Sequence, residues 1–160
     1  MILIALGANL PGPAGPPAAT LRAALVRLEE RGVKILSVSS FYETPAWPDS
    51  RQPAYVNAVA AVETTLQPVE LLTLLHGVET DYGRLRSAPN ASRTLDIDLL
   101  DYDGTVMAGA VMLPHPRIAQ RSFVLVPLAE VVPEWRHPVT GEGVAELLAQ
   151  LPDREVPRRL

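Results

Sequence analysis

Asp96 and Asp98 stand two residues apart in Arg93-Thr94-Leu95-Asp96-Ile97-Asp98-Leu99-Leu100, a run that is otherwise largely apolar. Its bulky neighbours make the run a strand, and alternation puts Thr94, Asp96, Asp98 and Leu100 on one face, with Leu95, Ile97 and Leu99 on the other. Two carboxylates side by side repel each other and resist losing water. A fold keeps both charged only if water, arginine or a metal cation stands against them. A separation of roughly 6.6 Å along the strand lets both serve one cation or a close pair. A solvated edge strand with two surface acids has the same spacing, so spacing alone leaves both readings open. Arg93, with Arg84 and Arg86 upstream, adds guanidinium groups beside a hard-cation site, the combination a nucleoside triphosphate requires. Mg²⁺ held by such acids bridges phosphate oxygens, while arginine offsets charge as the bridging bond breaks. Arg84 and Arg86 also stand where they could cap the end of a helix.

The elements that must present these groups follow from hydrophobic periodicity. Ile2 to Leu6 reads as a short buried strand, followed by a rigid loop through Pro11, Pro13, Pro16 and Pro17. A first helix carries the stripe Leu21, Leu25 and Leu28 and stops at Gly32. Val33 to Glu43 has strand composition and ends at Thr44-Pro45. From Ala54 to Thr65, Val56, Ala58, Ala60 and Val62 face one way, while Tyr55, Asn57, Val59, Ala61 and Glu63 face the other. Pro68 opens a second helix with the stripe Leu71, Leu75 and Val78, which ends at Gly83. The Asp-x-Asp strand comes next. This order, β-α-β-β-α-β, predicts an α+β fold: a ferredoxin-like, split βαβ sheet with both helices on one face. An added edge strand is expected over Val106 to Leu113, a helical turn near Pro127 to Val132, and a short helix around Val144 to Leu151.

Composition narrows the function classes. The 160 residues fit one domain, 1–160, and 48% hydrophobic content supplies its core. No apolar run is long enough to span a membrane, and Met1 opens directly on a strand pattern without the basic flank of a signal peptide. A free-standing, cytoplasmic protein is the expectation. The chain has no cysteine, which removes disulfides, thiolate catalysis and Cys-ligated zinc. A net charge of −4 argues against a nucleic-acid coat, though not against a local basic pocket.

Other residues have two readings each. His115, between prolines just past a strand, suits either a ligand contact or a turn. Tyr55 and Asn57 could enclose a flat heterocycle by stacking and paired amide hydrogen bonds, or could be a core ring and an amide satisfied by backbone. Phe123 has the surroundings of a core residue. Gly7-Ala8-Asn9 lacks the endings of a phosphate-cradling loop.

In this order, several segments together resemble the 6-hydroxymethyl-7,8-dihydropterin pyrophosphokinase family (2-amino-4-hydroxy-6-hydroxymethyldihydropteridine diphosphokinase) of folate biosynthesis. They are Ala5-Leu6-Gly7-Ala8-Asn9-Leu10, Ser39-Ser40-Phe41-Tyr42-Glu43-Thr44-Pro45, Gln52-Pro53-Ala54-Tyr55-Val56-Asn57-Ala58, Gly83-Arg84-Leu85-Arg86, Arg93-Thr94-Leu95-Asp96-Ile97-Asp98, Leu113-Pro114-His115 and Arg121-Ser122-Phe123-Val124-Leu125-Val126-Pro127-Leu128. The resemblance runs from Ile4 to about Pro133. It implies transfer of the β,γ-pyrophosphoryl unit of ATP to the hydroxymethyl group of the dihydropterin, with release of AMP. By the same resemblance, Asp96 and Asp98 hold two Mg²⁺ ions, and Asp96 also lies at the pterin. Arg84 and Arg93 grip the triphosphate as catalytic residues, and His76, Glu79, Leu99, His115 and Arg121 are further nucleotide contacts. Thr44, Pro45, Trp47, Tyr55, Asn57 and Phe123 form the pterin pocket. The segment Ser87 to Ser92 is one residue shorter than the family's familiar loop and lacks its tryptophan and additional arginine. Pro116 stands where an aromatic residue is common, and Ala110 where an arginine can reach the nucleotide.

Two other classes share parts of this pattern. Paired acids on a ferredoxin-like sheet also suit another Mg-dependent nucleotidyl or phosphoryl transferase. A non-catalytic ligand- or RNA-binding domain can use the same sheet, but would want paired aromatics in a basic surround, which these strands lack.

Overall fold

The computed structural model describes residues 1–46, 51–84, 93–152 and 156–160. A six-stranded antiparallel sheet is built from β1 (Ile2–Ala8), β2 (Lys34–Val38), β3 (Tyr42–Thr44), β4 (Tyr55–Glu63), β5 (Asp96–Tyr102) and β6 (Arg158–Arg159). The order across it is β5-β1-β4-β3-β6, with β2 also paired to β4. Among the described residues four α-helices accompany it: α1 (Pro17–Glu30), α2 (Pro68–Asp81), α3 (Ser122–Val131) and α4 (Val144–Ala149).

Alternation divides the sheet residues between two cores. Ile2, Ile4, Leu6 and Ala8 of β1, Val56, Ala58, Ala60 and Val62 of β4, and Ile97 and Leu99 of β5 pack with Leu21 and Leu28 of α1 and Leu71, Leu75 and Val78 of α2. Both helices therefore lie on one face, as their stripes predict. Leu3, Val59, Ala61 and Leu100 point the other way, against Val124, Leu125 and Leu128 of α3 and Val144 and Leu147 of α4. These helices cover only part of that second face.

Pro17 and Pro68 occupy the first turns of α1 and α2, where a missing N–H costs nothing. At α2 the N-cap Gln67 N–H also donates to Glu70 Oε1 at 3.1 Å.

Four expectations change. The single strand over Val33 to Glu43 is two strands, because residues 39–41 bulge out between the pairings Val38 with Ala60 and Tyr42 with Asn57. Ser39 holds the break, its N–H donating to the Val59 carbonyl and its Oγ accepting from the Val59 N–H at 3.0 Å. The expected edge strand over Val106 to Leu113 is instead a loop closed by an isolated Met107–Leu113 bridge, with Gly109 in the left-handed region at φ 136°. The helical turn placed near Pro127 is a ten-residue helix beginning at Ser122, with Pro127 inside it rather than at its start. Finally α4 stops at Ala149, freeing Leu151 and Pro152 to line a cavity.

Candidate active site

The uncovered part of the second sheet face is the floor of a cavity of about 760 Å³. Strand register explains its shape row by row. Gly7 lies between Asn57 on β4 and Asp96 on β5, and Ala5 lies between Val59 and Asp98. β1 thus offers small side chains where β4 and β5 on either side of it offer an amide and two acids. A Cβ on Gly7 would come within 2.6 Å of Asn57 Oδ1, so the absence of a side chain there is what gives the amide its place.

Asp96 and Asp98 both line the cavity, on the same face of β5 as the alternation predicts. Beyond them β5 carries an extra residue relative to β1, the register shifting between Leu3–Asp101 and Ile4–Leu99. The strand then turns to structural work. Asp101 is buried, and its carboxylate accepts from Trp135 Nε1 at 2.9 Å and from the Gly104 N–H at 2.9 Å.

Each site acid has its own cations. Asp96 accepts from Arg93 Nη1 at 2.9 Å and from Arg84 Nη1. Burial opposes its charge, but Arg93 and Arg84 hold the carboxyl below the usual range. Asp98 lies 3.4 Å from Arg121 Nη1 and 3.8 Å from His115 Nε2. Burial, then the neighbouring charge of Asp96, pushes Asp98 up to about 6. His115 is pushed down to about 4 by burial and by Arg121, so the ring is neutral near pH 7. Its Nδ1 accepts from the Arg117 N–H at 3.2 Å, which leaves the ring proton on Nε2, toward Asp98. The backbone fixes this histidine as well, the His115 N–H donating to the Leu100 carbonyl at 2.9 Å.

At the other end of the cavity Asn57 is buried, and its Nδ2 donates to Thr44 Oγ1 at 3.2 Å. The partner is a side chain on β3, not backbone, and the amide is left aimed across the floor. Thr44, Pro45, Tyr55 and Phe123 complete this end. Phe123 packs against the α3 core and also lines the cavity, with the Arg121 guanidinium 5.4 Å from its ring centre. An amide edge between aromatic walls at one end and paired acids among guanidinium groups at the other make a site for a flat polar heterocycle beside a phosphate chain.

Residues 3–133 match the family model for 7,8-dihydro-6-hydroxymethylpterin-pyrophosphokinase (HPPK). The chain belongs to the HPPK family. It is 37% identical over 150 residues to the 2-amino-4-hydroxy-6-hydroxymethyldihydropteridine pyrophosphokinase of Methylorubrum extorquens, covering 92% of this chain and 91% of that one. It is 36% identical over 158 residues to the Pseudomonas aeruginosa protein of the same name, covering 98% and 95%. The folic acid synthesis protein fol1 of Pneumocystis carinii is 33% identical over 156 residues, 97% of this chain but only 20% of its own length. Among solved structures, Plasmodium falciparum HPPK-DHPS wild type matches with a TM-score of 0.72 at 15% identity, over 93% of this chain and 40% of that chain, a likeness of fold.

The HPPK residues expected from sequence divide into those facing the cavity and those behind it. Thr44, Pro45, Tyr55, Asn57, Arg93, Asp96, Asp98, Arg121 and Phe123 line it. Arg84 and His115 stand one layer back, touching Asp96 and Asp98 respectively. Arg84 could have served as a helix cap, but its guanidinium turns to Glu79 and Asp96 instead. Three expected nucleotide contacts lie elsewhere: His76 is exposed on α2 away from the cavity lining, while Glu79 and the Leu99 side chain are buried. Trp47 and Arg86 lie outside the described residues.

Several HPPK residues of the site escaped the sequence reading. Arg117, Gln120 and Ser122 line the cavity from the segment before α3. Asn9, 1% exposed, accepts the Arg93 N–H on Oδ1 at 2.8 Å and donates from Nδ2 to the Pro53 carbonyl at 3.0 Å, tying the start of the Asp-x-Asp segment to the end of β1. Its position after a strand in Gly7-Ala8-Asn9 was the available signal, since an asparagine there is suited to bonding backbone. Glu130 on α3 accepts from the Ser40 N–H at 2.7 Å and the Tyr42 hydroxyl at 2.7 Å, joining the helix that carries Phe123 to the strand that carries Thr44.

Proposed function

We propose that this chain transfers the β,γ-pyrophosphoryl unit of ATP to the hydroxymethyl group of 6-hydroxymethyl-7,8-dihydropterin and releases AMP, a step of folate biosynthesis. The observation that carries the reading is Asn57, Asp96 and Asp98 on one open sheet face, in adjacent rows of a chain of the HPPK family. The pterin ring lies between Tyr55 and Phe123 with its amide-like edge on Asn57, and its hydroxymethyl group points along the floor over Gly7 and Ala5 toward the acids. The triphosphate lies over Asp96 and Asp98, with Arg93 and Arg121 on either side.

The donor set suits magnesium. Two carboxylates are present, and among the described residues no group of three His, Cys, Asp or Glu could hold an ion by itself. A hard cation that keeps several waters and takes its remaining ligands from phosphate fits this pair, and two such ions are our reading. Bound there, Mg²⁺ supplies charge neutralisation and acidifies the acceptor hydroxyl. The chain itself aligns two substrates, and Arg84, Arg93 and Arg121 offset charge on the phosphate oxygens. Neutral His115 donates from Nε2 rather than adding charge beside Asp98.

The strand order supports the ferredoxin-like, split βαβ reading of the sheet, and we take residues 1–160 as one domain working as a cytoplasmic monomer on small substrates without nucleic acid. Incubation with ATP, magnesium and 6-hydroxymethyl-7,8-dihydropterin should give AMP and the pyrophosphorylated pterin in equal amounts. Release of free pyrophosphate would instead indicate nucleotidyl transfer. Salt-sensitive binding of single-stranded RNA would point to the non-catalytic use of the sheet.

A further inference from the structure

Glu79 is a carboxylate of the site's neighbourhood that faces away from the cavity. It sits in the final turns of α2 and is 2% exposed. One oxygen, Oε2, accepts from the backbone N–H of Ile97 at 2.7 Å and from Arg84 Nη1 at 2.7 Å. The same Arg84 nitrogen reaches Asp96 Oδ1. Helix α2, the guanidinium of the following loop and the residue between the two aspartates therefore meet at a single atom. The Arg84 N–H, which donates to the Glu79 carbonyl at 3.1 Å, fastens the loop a second time.

We propose that Glu79 is a positioning residue for the transfer: without touching either substrate, it keeps Arg84 in place when Asp96 is engaged by a cation. The inference rests on the function proposed above and sharpens it. Arg93 and Arg121 lean on Asp96 and Asp98 themselves. Arg84 has a second anchor, Glu79, that lies outside the cavity and is not given up when Asp96 turns to a cation. It stays fixed against α2 while its charge is released from Asp96 to the triphosphate. Burial pushes the Glu79 carboxyl up to about 7, while the Ile97 N–H and the Arg84 guanidinium favour its charged form, so the geometry pairs a buried carboxylate with the cation it holds. By holding the Ile97 N–H, Glu79 also sets the segment that presents both acids.

The test is a double-mutant cycle of Glu79→Gln with Arg84→Ala, read by calorimetry of ATP binding without pterin and by steady-state kinetics. Glutamine keeps an acceptor for the Ile97 N–H but carries no charge toward Arg84. Glu79→Gln should weaken ATP binding about tenfold and lower kcat by at least as much, leaving pterin KM within about twofold. In the Arg84→Ala background the same change should have almost no further effect. Losses that multiply, an unchanged ATP affinity in Glu79→Gln, or an equal loss toward pterin would each overturn the proposal. If Glu79→Gln does not fold, Glu79→Asp, which keeps the charge at shorter reach, is read in the same cycle. ATP calorimetry does not depend on turnover, so a wild-type chain that binds ATP but makes no AMP fails the proposed function without deciding the cycle.

Discussion

The two ends of one sheet face have opposite fates. At one end Leu3, Val59, Ala61 and Leu100 lie under α3 and α4, closed from water. At the other, on the same strands and in the same alternation, Gly7, Asn57, Asp96 and Asp98 border the cavity instead of a packed helix. The backbone is the same ladder throughout. What differs is side-chain size on β1 and polarity on its neighbours: leucine in the covered row, glycine and alanine in the open rows. The covered end anchors α3, and α3 in turn delivers Arg121 and Phe123 to the open end. The comparison teaches that the open end is an unfilled continuation of a core, held in shape by the filled part.

If this division is right, damage at each end has a different signature. Replacing Asp98 or Asp96 by alanine should cut turnover on the order of a thousandfold or more while the thermal midpoint stays within a few degrees, as followed by AMP release and circular dichroism. Substantial turnover at saturating magnesium in both variants would collapse the distinction. Leu125→Ala at the covered end should cost about 2–5 kcal/mol in denaturant titration, yet leave kcat per folded molecule near the wild-type value. Asn57→Ala should weaken pterin binding by about 1–3 kcal/mol and leave ATP binding alone, and equal losses for both ligands in calorimetry would argue against a divided site.

A further effect is one of pH. His115 is depressed from 6.5 to about 4 in the folded chain, so between those values the folded state binds fewer protons than the unfolded one. Its contribution therefore makes stability fall as pH drops through that window. Relative to His115→Gln, the wild type should lose on the order of 2 kcal/mol between pH 6.5 and 4, allowing for the ring's partial exposure. A difference that stays constant with pH would show that the ring is not held neutral.

Much of this was readable from local pattern. Helices α1 and α2, the two faces of β4 and the shared face of Asp96 and Asp98 follow from periods of 3.6 and 2, which need only near neighbours in sequence. The break between β2 and β3 was not legible, because it is made by Ser39 bonding to Val59, twenty residues away. The expected turn near Pro127 to Val132 fell short of the start of α3, because the buried face of Val124, Leu125 and Leu128 carries the helix through an interior proline. At the site, residue types suggested which side chains meet substrate but could not rank depth. Glu79 was expected at the nucleotide, and its depth is set by β5, whose Ile97 N–H it accepts in a buried position.

The bare backbone at Gly7 has an evolutionary and practical corollary. A single methyl group at that position would rotate the Asn57 amide out of its seat and away from Thr44, while the strand pairing on both sides could remain. If the proposed function holds, Gly7→Ala should therefore give a folded protein that still binds the nucleotide and is blind to the heterocycle, a decoy separating the two recognition events by one carbon atom.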